Sequence, residues 1–65
     1  MTKQETIKKL QNLENLFNGL AGYHGLVNFR LEKDGKKPSE AENAYFKAYG
    51  FCADEVKSLI EEISK

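Results

Sequence analysis

The stretch "KDGKKPSEAE", residues 33–42, decides the fold, because it contains the signals that end one helix and begin another. Gly35 suits the left-handed conformation that commonly closes a helix, and Pro38 cannot continue one. Ser39 stands three residues before Glu42, the spacing of a capping box in which the two residues satisfy each other's free backbone N–H groups. The stretch therefore predicts a short turn between two helices.

The same start signal occurs at the beginning of the chain, where Thr2 stands three residues before Glu5. The cap signals together predict two helices, at about 3–33 and 39–64, in one small helical domain covering residues 1–65. Glycines at 19, 22 and 25 leave the first helix open to different interpretations. It is either continuous but pliable, or kinked near 19–25 so that residues 26–33 form a third helix; the glycines could also make room for a packed neighbour.

Apolar residues recur at helical spacing through both segments. In the first segment, steps of three and four residues connect Leu10, Leu13, Phe17, Leu20, His24, Val27 and Leu31. In the second, such steps connect Ala41, Tyr45, Ala48, Cys52, Val56, Leu59 and Ile63. The phase of each stripe is unbroken across the glycines. The pattern predicts an all-α antiparallel hairpin whose seam contains both stripes, with His24 opposite Ala48.

Several large apolar side chains lie outside the predicted seam, among them seven from residues 16 to 51. A lone hairpin has no second layer to cover them. We therefore expect either self-association into a helical bundle, most simply a dimer, or a larger protein partner. Large aromatic side chains contribute most per residue at interfaces. The predicted partner-binding residues are Tyr23, Leu26, Phe29, Phe46, Tyr49 and Phe51.

The charge balance gives a second functional hypothesis. Ten basic and ten acidic residues cancel, so the chain as a whole is not drawn to nucleic acid or anionic membranes. A local basic cluster at residues 30–37 provides possible phosphate contacts from Arg30, Lys33, Lys36 and Lys37. The alternative function is thus a small nucleic-acid-associated protein, although acidic residues lie among these cations and no recognition motif accompanies them.

Catalytic, metal and cofactor chemistry are not expected. His24 and Cys52 would approach each other across the seam, but the sequence provides neither an orienting group nor a substrate pocket for a Cys–His pair. Structural zinc needs four ligands, which one chain does not bring together. One cysteine cannot form an internal disulfide, and no apolar run suffices for a signal peptide or membrane span. We expect a cytoplasmic protein that is not an enzyme and has no small-molecule substrate.

The segment "AYFKAYGFCADEVKSLIEEI", residues 44–63, resembles the helical hairpin of the small sporulation kinase inhibitors of bacilli. That resemblance implies a turn at Gly50 and Phe51, Asp54 as the cap of a new helix, and binding to a histidine kinase. The unbroken apolar phase through Cys52 predicts a continuous helix instead, and we carry over no functional residue. The sequence as a whole favours a small protein–protein interaction module that acts as a regulator or inhibitor.

Overall fold

The computed structural model describes residues 2–65, which form two α-helices packed as an antiparallel hairpin. Helix α1 spans Lys3–Lys33 and helix α2 spans Glu40–Ser64. The predicted all-α hairpin is confirmed. Helix α1 runs without a break through residues 19–25, so the third helix considered for residues 26–33 is wrong. Helix α2 likewise continues through Gly50, where the resemblance implied a turn.

Helix α1 stays continuous through its three glycines because the residues of its seam continue through the same segment. Each glycine costs about 1 kcal/mol of helix propensity relative to alanine. Against this cost, Ala21 is buried, and Leu20, His24 and Val27 are at least half-buried in the seam. A break at this place would remove these side chains from the second helix, so their burial favours the continuous form.

Both helices begin at the predicted caps. The hydroxyl of Thr2 accepts a hydrogen bond from the backbone N–H of Glu5 at 3.1 Å. The hydroxyl of Ser39 accepts one from the N–H of Glu42 at 3.2 Å. Each cap satisfies one of the N–H groups that the first turn of a helix leaves without an internal partner.

Helix α1 ends in a Schellman motif centred on Gly35. The N–H of Lys36 donates to the carbonyl of Leu31 at 2.8 Å, and the N–H of Gly35 donates to that of Glu32 at 3.0 Å. Gly35 has φ of +78°, a left-handed conformation that glycine adopts without steric cost. The turn therefore reverses the chain where the sequence predicted it.

One side-chain amide fastens the start of α2 to α1. The Nδ2 of Asn28 donates to the carbonyl oxygen of Ser39 at 3.1 Å. The backbone N–H of Ser39 donates back to Oδ1 of Asn28 at 2.8 Å. Since both bonds connect the two helices at one residue, they fix the rotation and the level at which α2 begins against α1.

The seam is narrow and contains mainly small residues. Ala21, Ala53 and Val56 are the buried apolar residues among those described, and Ala53 is the most buried at 2% exposure. Both predicted stripes are partly wrong, since Leu13 of α1 and Tyr45 and Leu59 of α2 are exposed. The seam of α2 follows a neighbouring stripe that shares Val56 and Ile63 with the predicted one: it consists of Glu42, Tyr49, Ala53, Val56, Ile60 and Ile63.

The hairpin is a rod with an unusually large surface. It measures 50 × 14 × 14 Å and has a radius of gyration of 15.0 Å, whereas a compact chain of this length has about 11 Å. Its accessible surface is 5126 Å², compared with about 4,200 Å² for a monomer of this mass. The excess, about 900 Å², belongs to faces that the two helices leave uncovered.

Of the glycines within the helices, only Gly25 is required by packing inside the hairpin. A Cβ atom built on Gly25 would lie 2.9 Å from Cδ2 and 3.0 Å from Cε2 of Phe46. At Gly19, Gly22 and Gly50 nothing lies within 4 Å of such an atom. Close packing therefore explains one glycine and leaves the others facing open space.

Replacing Asn28 with alanine tests the amide that joins the helices. Asn28→Ala removes both hydrogen bonds to Ser39 and should lower the free energy of unfolding by about 1–3 kcal/mol. Thermal denaturation measures this loss, at about 4–8 °C per kcal/mol for a domain of this size. Asn18→Ala is the matched control, because Asn18 is an exposed asparagine of α1. Equal midpoints for the two variants would contradict the assigned role.

Alanine substitutions at two glycines test the packing at Gly25. Gly22→Ala should raise the free energy of unfolding by about 1 kcal/mol, because its new methyl group meets open space. Gly25→Ala should show no such gain, because the ring of Phe46 has to move away. Chemical denaturation of the two variants measures the difference, and an equal stabilisation by both would contradict the contact.

Candidate protein-binding surfaces

A polar contact joins the middle of the two helices. Nδ1 of His24 on α1 lies within hydrogen-bonding distance of Oε2 of Glu42 on α2. The side chains of His24 and Glu42 are 16% and 25% exposed. The contact is therefore partly shielded from water, which strengthens it relative to a pair on the open surface.

Aromatic rings surround the imidazole of His24. The ring centroid of Tyr45 lies 4.9 Å away and that of Tyr49 lies 5.6 Å away, the latter stacked at an interplanar angle of 10°. Tyr23 approaches edge-on at 5.3 Å. These distances are those of favourable aromatic pairs. The prediction that His24 faces Ala48 is wrong, because the rotation of α2 brings Glu42 and two tyrosines to that place.

The contact also changes the predicted capping box. Its first half is present, since Ser39 accepts from the N–H of Glu42. The second half is absent, because the N–H of Ser39 donates to Asn28 and the carboxylate of Glu42 turns to His24. Glu42 thus joins the two helices instead of closing its own cap.

The roles of Asn28 and Glu42 in joining the helices were not predicted from the sequence. A signal was present in their spacing: His24 lies one turn before Asn28 on α1, and Glu42 lies one turn after Ser39 on α2. Once Asn28 and Ser39 are paired, antiparallel packing brings His24 and Glu42 to the same level. No local sequence motif, however, predicts the pairing of Asn28 with Ser39.

A groove, which we call the aromatic groove, opens beside the seam near the loop. Its volume is about 620 Å³. Phe29 of α1 and Phe46 of α2 line it and are 62% and 45% exposed. The remaining lining residues are Gly22, Gly25, Leu26, Asn28, Glu32, Pro38 and Asn43. Three predicted partner-binding residues, Leu26, Phe29 and Phe46, therefore come together at one concave surface.

The other predicted partner-binding residues lie elsewhere. Tyr23 and Phe51 are strongly exposed and do not line the groove. Tyr49 is half-buried in the seam, where its ring stacks on Phe17 at 6.2 Å as well as on His24. The ring of Tyr49 is thus packed within the chain, and three of the six predicted partner-binding residues line the groove.

A second exposed apolar surface, which we call the leucine–tyrosine face, extends along both helices. Its exposed members are 38% to 62% accessible: Leu13, Leu16, Tyr23, Tyr45 and Leu59. Leu20, Val27 and Cys52 lie half-buried at the helical positions between them. The spacing of three and four residues places these side chains on one side of the hairpin.

The cations considered for phosphate binding lie at the loop end of the rod. Arg30, Lys33, Lys36 and Lys37 are all exposed. Arg30 and Lys33 also occupy the last turn of α1, where positive charge interacts favourably with the helix dipole. Nucleic-acid binding by these residues stays a prediction.

Three further findings concern the described chain. Among residues 2–65, no three His, Cys, Asp or Glu side chains come close enough together to hold a metal ion. Neither helix has the length and apolar character needed to span a membrane. No family model, curated protein or solved structure matches the chain.

A double-mutant cycle tests the contact between His24 and Glu42. His24→Phe keeps an aromatic ring in the stack, and Glu42→Gln keeps the shape of the side chain. The two single changes should each lower the free energy of unfolding, and the double variant should lose about 1 kcal/mol less than their sum. Chemical denaturation of the four proteins measures this coupling. Strictly additive losses would contradict the contact.

Proposed function

We propose that the chain is a cytoplasmic regulator or inhibitor, not an enzyme, which binds a larger protein through the aromatic groove and also associates with itself. The observation that carries the first part is the exposure of Phe29 and Phe46 at the two walls of one groove. Large aromatic side chains around a concave apolar surface are the usual anchors of a protein interface.

The groove suits the apolar ridge of a partner helix. The ring of Phe46 covers Gly25, but nothing lies within 4 Å of a Cβ atom at Gly22. A partner's Leu, Ile or Phe side chain can therefore reach the backbone of α1 at Gly22. Exposed Glu32 at the edge adds a carboxylate. We infer an amphipathic partner helix with large apolar residues and a neighbouring Lys or Arg.

Site-specific photocrosslinking in the cells that produce the protein tests this function. Benzoylphenylalanine replaces Asn43, which lines the groove and is exposed, so that both phenylalanines stay in place. Irradiation should attach the chain to a larger protein, identified by mass spectrometry. Lys8→benzoylphenylalanine is the control, because Lys8 is an exposed residue far from the loop.

A second substitution connects the adduct to the groove. Phe29→Ala removes an exposed ring, and its loss should weaken partner binding by about 30-fold, the effect of an anchor worth about 2 kcal/mol. The yield of the Asn43 adduct should fall accordingly, while circular dichroism stays that of a folded hairpin. No protein adduct at Asn43, or an equal yield with and without Phe29, would contradict binding at the groove.

A further inference from the structure

The leucine–tyrosine face has the dimensions of a protein interface. A face of the rod measures 50 × 14 Å, so two such faces in contact would cover about 1,400 Å² in total, within the usual range of about 1,200–2,000 Å² for stable interfaces. Covering one face per chain would also remove about 700 of the roughly 900 Å² by which the surface exceeds that of a compact monomer. The area of the face therefore fits one further layer of two helices.

The two helices differ strongly in charge. Helix α1 contains five basic and three acidic side chains, a net charge of +2. Helix α2 contains two basic and six acidic side chains, a net charge of −4. A layer that covers this face is favoured when it sets negative charge over α1 and positive charge over α2. A second copy of the chain provides both charges at the same spacing.

We propose that two copies of the chain pack through their leucine–tyrosine faces, with α1 of each copy on α2 of the other and both loops at the same end. This proposal rests on the proposed function in taking self-association as part of it, and it adds the surface and the arrangement. Each helix in the resulting four-helix bundle has neighbours of opposite direction and opposite net charge.

The charges select this arrangement over the alternative. Two identical hairpins stacked face to face are related by a two-fold axis. If the axis runs along the rod, α1 lies on α2 and the loops share one end. If the axis crosses the rod, α1 lies on α1 and α2 lies on α2, which brings two helices of net charge −4 together. Like charges across an interface oppose association.

The apolar side chains fit the same arrangement. The contacts between the two helices join residues whose numbers sum to between 66, for His24 and Glu42, and 73, for His24 and Tyr49. The sum for Leu13 and Leu59 is 72, so these two residues lie within about one helical turn of each other along the rod. In the proposed dimer Leu13 of one copy therefore lies beside Leu59 of the second copy, and apolar side chains meet at both ends of the face.

Cysteine crosslinking of the full chain tests the arrangement. Cys52→Ser removes the one native thiol, and Leu13→Cys, Leu59→Cys and Val27→Cys then provide three single-cysteine chains, distinguished by mass tags. A short bismaleimide should join the Leu13→Cys chain to the Leu59→Cys chain in a mixture. It should not join the Leu13→Cys chain to the Val27→Cys chain, since residues 13 and 27 are about 21 Å apart along a helix.

Sedimentation equilibrium of the unmodified chain is the companion measurement. We expect twice the monomer mass of 7.4 kDa at tens of micromolar, with dissociation promoted by added salt because it screens the charges. A chain that stays monomeric overturns the dimer, and a Leu13-to-Val27 adduct overturns the arrangement. Neither result affects the crosslink at Asn43, which lies in the other surface, so failure here is distinguishable from failure of groove binding.

Discussion

Two helices packed side by side share a single seam, and this geometry limits how much apolar surface the chain buries by itself. In this hairpin the buried residues are two alanines and a valine, and no side chain among the described residues is completely covered. The larger apolar side chains lie to either side of the seam. A core this small contributes little to the stability of a 65-residue chain, and covering the exposed faces is the remaining source of apolar burial.

Polar contacts determine which apolar faces stay exposed. The pair of hydrogen bonds between Asn28 and Ser39 fixes the level and the rotation at which α2 begins, and the contact between His24 and Glu42 holds the same rotation one turn further on. This rotation turns Tyr45 outward and leaves Phe46 against Gly25. The aromatic groove and the leucine–tyrosine face are therefore consequences of the same small number of polar bonds. The two surfaces share no residue, so the proposed dimer and the proposed partner complex would not compete for the same side chains.

The parts of the fold that depend on local chemistry could be predicted from the sequence. The caps at Thr2 and Ser39, the left-handed Gly35 and the unbroken phase of α1 all correspond to the structure. The seam of α2 could not be predicted from the sequence, because two neighbouring stripes of that helix are both largely apolar. The choice between them depends on contacts between the two helices, among them the pairing of Asn28 with Ser39, which no local motif indicates.

The candidate surfaces were predictable to a similar degree. The surplus of large apolar side chains outside the seam was visible in the sequence, and three of them, Leu26, Phe29 and Phe46, line one groove. The ring of Tyr49 stacks on those of His24 and Phe17 because of the rotation of α2. The spacing of apolar residues in the sequence does not predict this rotation. Gly25 had a packing reason and the other helix glycines did not, a difference that only the three-dimensional contacts reveal.

Thermal unfolding of the full chain, followed by circular dichroism over a roughly hundredfold range of protein concentration, tests most directly whether the hairpin needs a second layer. If two copies fold together, the midpoint rises with concentration, because association stabilises the folded chain by mass action. A cooperative transition whose midpoint is independent of concentration would show that the narrow seam suffices and would contradict this explanation of the exposed faces.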